Sequence, residues 1–183
     1  MGGCREAALP DSEGAGDAPG PLFAATYERL KAVARRHLAA QAGTTFEPTV
    51  LVHDLYLRFG SDPELRFEHP AQFFSYAAQA MRHLLCDRAR ARRSLRAGGD
   101  WLRVTLTASD ENLVLDSAAD ALALDAALTR LAAEDARAAC VVELVYFAGL
   151  TLEEAAGVLG FTRRTIDRDW RFARAFLRTD LES

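Results

Sequence analysis

The stretch LTLEEAAGVLGFTRRTIDRDWRFARAFL, Leu150 to Leu177, constrains the chain more tightly than any other. It encodes two helix starts and one helix stop in quick succession. Thr151 is placed to cap a first helix from about Leu152 to Leu159, and Glu154, three residues on, completes a reciprocal capping box. Gly160 follows the last periodic position, where a left-handed turn needs a residue without Cβ. Thr162 can cap a second helix. Ala155, Ala156 and Gly157 are small, which lets the two helices approach closely. On the second helix Ile166, Trp170, Ala173 and Leu177 recur at helical spacing and form a stripe to bury. Arg163, Arg164, Arg168, Arg171, Arg174 and Arg178 occupy other faces, against only Asp167 and Asp169. A helix-turn-helix whose second helix begins with Thr162, Arg163, Arg164 and Thr165 is what a major-groove reader needs. An ordinary helical hairpin with solvated arginines carries the same pattern.

The rest of the chain reads as further helices, so the fold class is all-α: two small helical domains joined by a flexible linker, the second ending in the helix-turn-helix. Residues 1–20 are rich in Gly, Ala, Pro, Asp and Glu and read as a disordered tail. From Pro21 to about Ala42, Leu22, Phe23, Thr26, Leu30, Val33, Ala34 and Leu38 can share a buried face, and Gly43, Thr44 and Thr45 break that helix. Pro48 pre-sets the first turn of the next helix, from Thr49 to Phe59. There Val50, Leu51, Leu55, Tyr56 and Phe59 supply the apolar face, leaving His53, Asp54, Leu57 and Arg58 outside. A long helix from Ala71 to about Leu95 starts apolar and aromatic and ends with Arg82, Arg88, Arg90, Arg92, Arg93 and Arg96 against Asp87 alone. Solvated charge runs usually mix signs, so this end points toward a polyanion. Residues 97–117 form an acidic linker, partly extended where Leu102, Val104 and Leu106 alternate with polar residues. From Ala118 the helical pattern returns, and Glu134 and Asp135 open a further helix before the final pair.

The net charge of −4 conceals this segregation of sign, and local patches outweigh the total in nucleic-acid binding. Lys31 is the only lysine, so the basic residues are otherwise arginines, suited to bidentate contact with phosphate and guanine. Cys4, Cys86 and Cys140 lie far apart, which suits a reducing cytoplasm. No apolar run approaches a membrane span, and no signal-peptide core opens the chain. His37, His53, His69 and His83 stand singly, and no paired metal-ligand set, Gly-rich phosphate loop or nucleophile elbow appears. The expectation is a non-enzyme without metal or cofactor.

Three stretches in this order resemble the extracytoplasmic-function sigma factors of bacterial RNA polymerase, over about Pro21 to Leu181. PTVLVHDLYLRF (Pro48–Phe59) is similar to the helix that docks on the polymerase clamp, FFSYAAQAMRHLLCDRARARR (Phe73–Arg93) to the helix that opens and holds the −10 element, and the Leu150–Leu177 stretch to the −35 reader. The resemblance implies a specificity subunit that binds core RNA polymerase and promoter DNA. It makes residues 21–96 the second sigma domain and 118–183 the fourth. Core binding would then fall to Glu47, His53, Asp54 and Arg58. Contact with −10 DNA would fall to Phe67 and His69, with Phe73, stacking on or pocketing a flipped base, and to Arg82, Arg88, Arg92 and Arg93 on phosphates. The −35 contacts would be Thr162, Arg163, Arg164, Thr165, Arg168 and Arg171. A plain helix-turn-helix regulator would explain only the C-terminal half. A sigma-like protein that merely sequesters an anti-sigma factor would not need the DNA arginines, although an anti-sigma factor stays a partner the family admits.

One departure bears on control. In most sigma factors of this kind the clamp-docking helix opens with a run of acids, whereas here Phe46, Glu47, Pro48, Thr49 and Val50 retain a single carboxylate. Thr49 stands where an acid is expected, and a phosphate on it would restore about −1.5 to −2 charge. This resembles a subgroup thought to be switched on by a Ser/Thr protein kinase. Thr44 and Thr45, just upstream, are the alternative acceptors.

Overall fold

A computed structural model describes residues 19–38, 48–61, 65–67, 70–95, 104–106, 113–115 and 118–182. Among the described residues, seven helices carry the fold: α1 (Pro19–Leu38), α2 (Pro48–Gly60), α3 (Pro70–Leu95), α4 (Ala118–Glu134), α5 (Ala136–Tyr146), α6 (Leu152–Leu159) and α7 (Arg163–Leu181). The class is all-α, as the periodicity requires. Most of the expected tail lies outside the described residues, as does the Gly43–Thr45 break. Within the expected flexible linker, β1 (Val104–Leu106) and β2 (Leu113–Leu115) pair antiparallel, with Thr105 opposite Val114. The alternation of Val104 and Leu106 with Thr105 marked the first of these strands and not the second.

Local signals set the C-terminal helix ends. Asp135 caps α5, its carboxylate accepting from the Ala138 N–H at 2.9 Å. Thr151 and Glu154 form the full capping box on α6, with the Glu154 carboxylate accepting from the Thr151 N–H at 2.8 Å. Gly160 ends α6 in the left-handed region, and Thr162 caps α7. Each such cap contributes about 1 kcal/mol.

The buried apolar side chains form one continuous cluster that runs through both halves of the chain. Leu30, Leu51, Leu55, Phe59, Phe73 and Met81 fill the part among α1, α2 and α3, and Leu128, Leu131, Leu144, Ile166 and Leu177 the part among α4, α5 and α7. Burying each of these contributes roughly 1.5–3 kcal/mol. The halves meet where α3 lies along α4 and α5, and where α1 reaches the turn between α5 and α6. Gly149 in that turn has φ +73, and a Cβ there would stand 2.5 Å from Val33 Cγ2 of α1. Backbone conformation and the close approach of α1 therefore both demand glycine.

Two expectations about packing are corrected. Val50 and Tyr56, assigned to the buried face of α2, are 43% and 49% exposed; Leu51, Val52, Leu55 and Phe59 are the residues buried. Tyr56 meets the core in an edge contact with Phe23 at 5.1 Å. Gly157 is not small for the sake of helix approach: a Cβ there meets nothing within 4 Å, whereas Ala155 and Ala156 are buried. The two glycines should consequently respond in opposite directions. Gly149→Ala should destabilise the protein by about 1–2 kcal/mol from backbone conformation alone, and further through the clash with Val33. Gly157→Ala should be neutral or stabilise by roughly 0.5–1 kcal/mol, both read by urea unfolding.

Candidate nucleic-acid interface

The face of α7 divides cleanly. Ile166, Asp169, Trp170, Ala173 and Leu177 are buried against the helices beneath. Arg164, Arg168 and Arg171 are exposed and follow each other at four- and three-residue spacing, so they line one outer stripe that Arg178 extends. Arg168 keeps 72% of its side chain exposed. At the helix start Thr162 Oγ1 lies 2.9 Å from Thr165 Oγ1, and Arg163 is paired with Asp167 at 2.9 Å and with Glu153 at 3.5 Å. These pairs hold the Arg163 guanidinium above its ordinary pKa, with the hydrogen bond to Asp167 foremost.

Asp169 is not a surface acid among those arginines. It is 2% exposed and accepts from Arg137 on α5 at 2.6 and 3.2 Å. The Arg137 guanidinium in turn lies 4.8 Å from the Phe161 ring centroid in the turn before α7. This pair fixes the angle at which α7 leaves the turn. The sequence reading missed Arg137 as a positioning residue, because nothing local distinguishes Asp169 from Asp167.

The first half presents a second group of side chains. On α2, Thr49, Val50, His53, Tyr56 and Leu57 are exposed together. Asp54 and Arg58 instead turn toward α3. Asp54 accepts from Arg88 at 2.5 Å and Arg58 donates to Asp87 at 3.0 Å. Burial pulls the Arg88 pKa below its ordinary value, and Asp54 opposes that pull. Phe67, expected to meet a base, is 4% exposed. Its ring packs edge-on against Phe59, Phe73 and Tyr76, so no face of it is open to stacking in this conformation. Glu47 and His69 lie outside the described residues; Arg92 and Arg93 lie on the last turns of α3, their side chains outside them.

Arg82 departs furthest from expectation. Instead of projecting, it keeps 11% of its side chain exposed and donates from all three nitrogens: Nε to Asp125 Oδ1, Nη1 to Glu143 Oε1, and Nη2 to the Asp125 carbonyl and Thr129 Oγ1, at 2.7 to 2.9 Å. Glu143 is 3% exposed on α5, and burial raises its pKa while Arg82 works against that rise.

Residues 11–183 match the family model described as ECF sigma factor. The chain belongs to the ECF sigma factor family. Its role is accordingly that of an RNA polymerase sigma factor, in a regulatory family of non-enzymes whose partners are core RNA polymerase and promoter DNA. No curated protein matches the chain. Among the described residues of this sigma factor no helix is long and apolar enough to cross a membrane, and no cluster of His, Cys, Asp and Glu is arranged to hold a metal.

Within the sigma factor, Glu154 also ties the two halves, accepting from Arg29 of α1 at 2.7 Å. That bond, with the Thr151 cap, lowers the Glu154 pKa from 4.5 to about 2. Its contribution to stability is therefore present above pH 4.5 and is lost as the pH falls toward 2. Both side chains are over a third exposed, which limits the ion pair to roughly 1 kcal/mol or less. Glu154→Gln should thus be less stable than wild type at neutral pH, with the difference shrinking below pH 4.5 in urea titrations at stepped pH. Arg137→Ala, by contrast, strands the buried Asp169 and should cost roughly 1–3 kcal/mol in the same assay.

Proposed function

We propose that this sigma factor directs core polymerase to promoters whose upstream element is read by α7, and that phosphorylation of Thr49 by a Ser/Thr protein kinase switches on its binding to the polymerase. The exposure of the α7 stripe supports the first part, Arg168 keeping most of its side chain open even with Asp169 3.7 Å from its Nε. Arg164, Arg168 and Arg171 are exposed along one side, and the helix opens on the exposed Thr162 cap, a helix N-terminus of the kind that favours phosphate. Residues 21–96 serve as the core-binding and −10 domain, and residues 118–183 as the −35 domain. The cytoplasm, where the polymerase works, is the compartment that fits.

The observation that carries the second part is the start of α2. Thr49 is the second residue of the helix, is exposed, and has no acidic residue beside it in the first turn. A phosphate there would sit at the positive end of the helix dipole, where an anion is favoured by roughly 0.3–1 kcal/mol. Next to it lie the exposed Val50, His53, Tyr56 and Leu57, four residues with apolar area to bury and no carboxylate among them. In this reading the apolar side chains supply contact area and the phosphate supplies the charge.

Affinity for core polymerase should be weak for the unmodified chain and for Thr49→Ala, and at least about tenfold tighter after kinase treatment, a gain of about 1.4 kcal/mol. Equal, tight binding by all three removes the switch and leaves the sigma role standing. For DNA reading, replacing Arg164, Arg168 and Arg171 together by alanine should abolish the upstream footprint. Each base-reading arginine lost should cost about 1–3 kcal/mol. A normal footprint from the triple variant excludes α7 as the reader.

A further inference from the structure

Arg82 is one of the arginines through which α3 is proposed to hold DNA, yet its donors are turned to the other half of the chain. The atoms that receive them reproduce what a phosphate offers. Asp125 and Glu143 place two anionic oxygens on the guanidinium at 2.7 Å, and the Asp125 carbonyl and Thr129 hydroxyl take two further N–H groups. Asp125 Oδ2 also lies 3.5 Å from Arg90 Nη2, just over two turns along the same basic helix. The acceptors come from α4 and α5, 43 to 61 residues away in sequence.

Glu143 makes the arrangement directional. It lies in the apolar run Val141, Val142, Leu144 and Val145 and is 3% exposed, so a carboxylate there carries a large desolvation cost unless a cation accompanies it. A cation must reach it, and Arg82 of the other half does so at 2.7 Å, with His83 and Gln79 of the same helix also facing the carboxyl. Cys86, one turn after Arg82 on α3, is 4% exposed, and burial first, with Asp125 beside it, raises its pKa, so its thiol is sealed in the same contact.

We infer that the Asp125–Glu143 face of the C-terminal half is an internal stand-in for DNA, which occupies Arg82 and keeps the free sigma factor closed until nucleic acid competes it away. The inference rests on the proposed role of α3 in holding the −10 strand. Asp125 and Glu143 are the residues that set the threshold. Because DNA and this face claim the same guanidinium, the two are linked reciprocally: whatever weakens the internal contact tightens DNA binding, and DNA binding opens the contact.

The test uses the full chain as wild type, the double variant Asp125→Asn with Glu143→Gln, and a charge-matched control, Glu28→Gln with Glu182→Gln, at exposed positions away from the contact. Affinity for a fluorescein-labelled single-stranded oligonucleotide is measured at fixed salt, and maleimide labelling of Cys86 is followed by peptide mass mapping. The double variant should bind the oligonucleotide about tenfold more tightly than either of the others, a coupling within the usual range. In wild type, adding oligonucleotide should accelerate Cys86 labelling by a comparable factor. Adding Arg82→Gln to the double variant should cancel the gain in affinity, which identifies Arg82 as its route. Equal affinity of wild type and double variant overturns the inference, as does an equal gain in the charge-matched control or a gain that survives Arg82→Gln. Binding of core polymerase by the same proteins tests the sigma role separately. Retained polymerase binding without the gain in DNA affinity refutes the internal contact alone. Absence of polymerase binding from every form, phosphorylated chain included, with the Cys86 response intact, refutes the role.

Discussion

A carboxylate set into an apolar helix must be given a cation, and in this molecule that requirement organises the contact between two halves. Glu143 lies inside α5, surrounded by aliphatic side chains, and Arg82 of α3 answers it. Around that pair α3 settles along α4 and α5, and Cys86 is closed off, its thiol pushed up to about 12 by burial with Asp125 beside it. At the other end α1 can approach the turn before α6 only because Gly149 has no side chain, and Arg29 reaches Glu154 across the same seam. Apolar burial supplies most of the adhesion, and the ionic contacts choose the register.

The elements themselves were legible because their signals are local. A capping box needs residues three apart, and a left-handed stop needs one glycine; Thr151, Glu154, Gly160 and Thr162 appear where the pattern places them. The α7 stripes were legible for the same reason, since helical spacing alone separates Ile166 and Trp170 from Arg164 and Arg168. What escaped was every feature fixed by partners distant in sequence. Arg137 and Asp169 are 32 residues apart and Arg82 and Glu143 are 61 apart, and a charged residue does not announce whether its surroundings are water or leucine. The one hint was Glu143 itself, a lone acid within a valine and leucine run. Val50 and Tyr56 were misplaced because periodicity gives the spacing of an apolar arc and not how far a neighbour covers it. Phe67 was misplaced because an aromatic beside a loop looks available until Phe59, Phe73 and Tyr76 are seen to enclose it.

Arginine serves two purposes in this chain. Arg82, Arg88 and Arg137 are held by carboxylates and join helices; Arg164, Arg168 and Arg171 stand outside and are available to a partner. A guanidinium fits both tasks because it remains charged when partly buried and offers a planar fork of donors. Membership of the ECF sigma factor family makes sense of the second group. The first group shows where an overall acidic protein joins its arginines to its own carboxylates, at Arg82 across the two halves.

The clean division of α7 also bears on how such a protein changes over evolutionary time. Its orientation is set by Asp169, Trp170 and the Arg137 contact, none of which lies on the outer stripe. Side chains on that stripe can be exchanged without disturbing the helix beneath them, just as a key can be recut without altering its bow. Under the proposed role of α7 as promoter reader, a duplicated copy of the gene would acquire a new set of promoters through a handful of surface substitutions, while inheriting unchanged the framework that makes it fold.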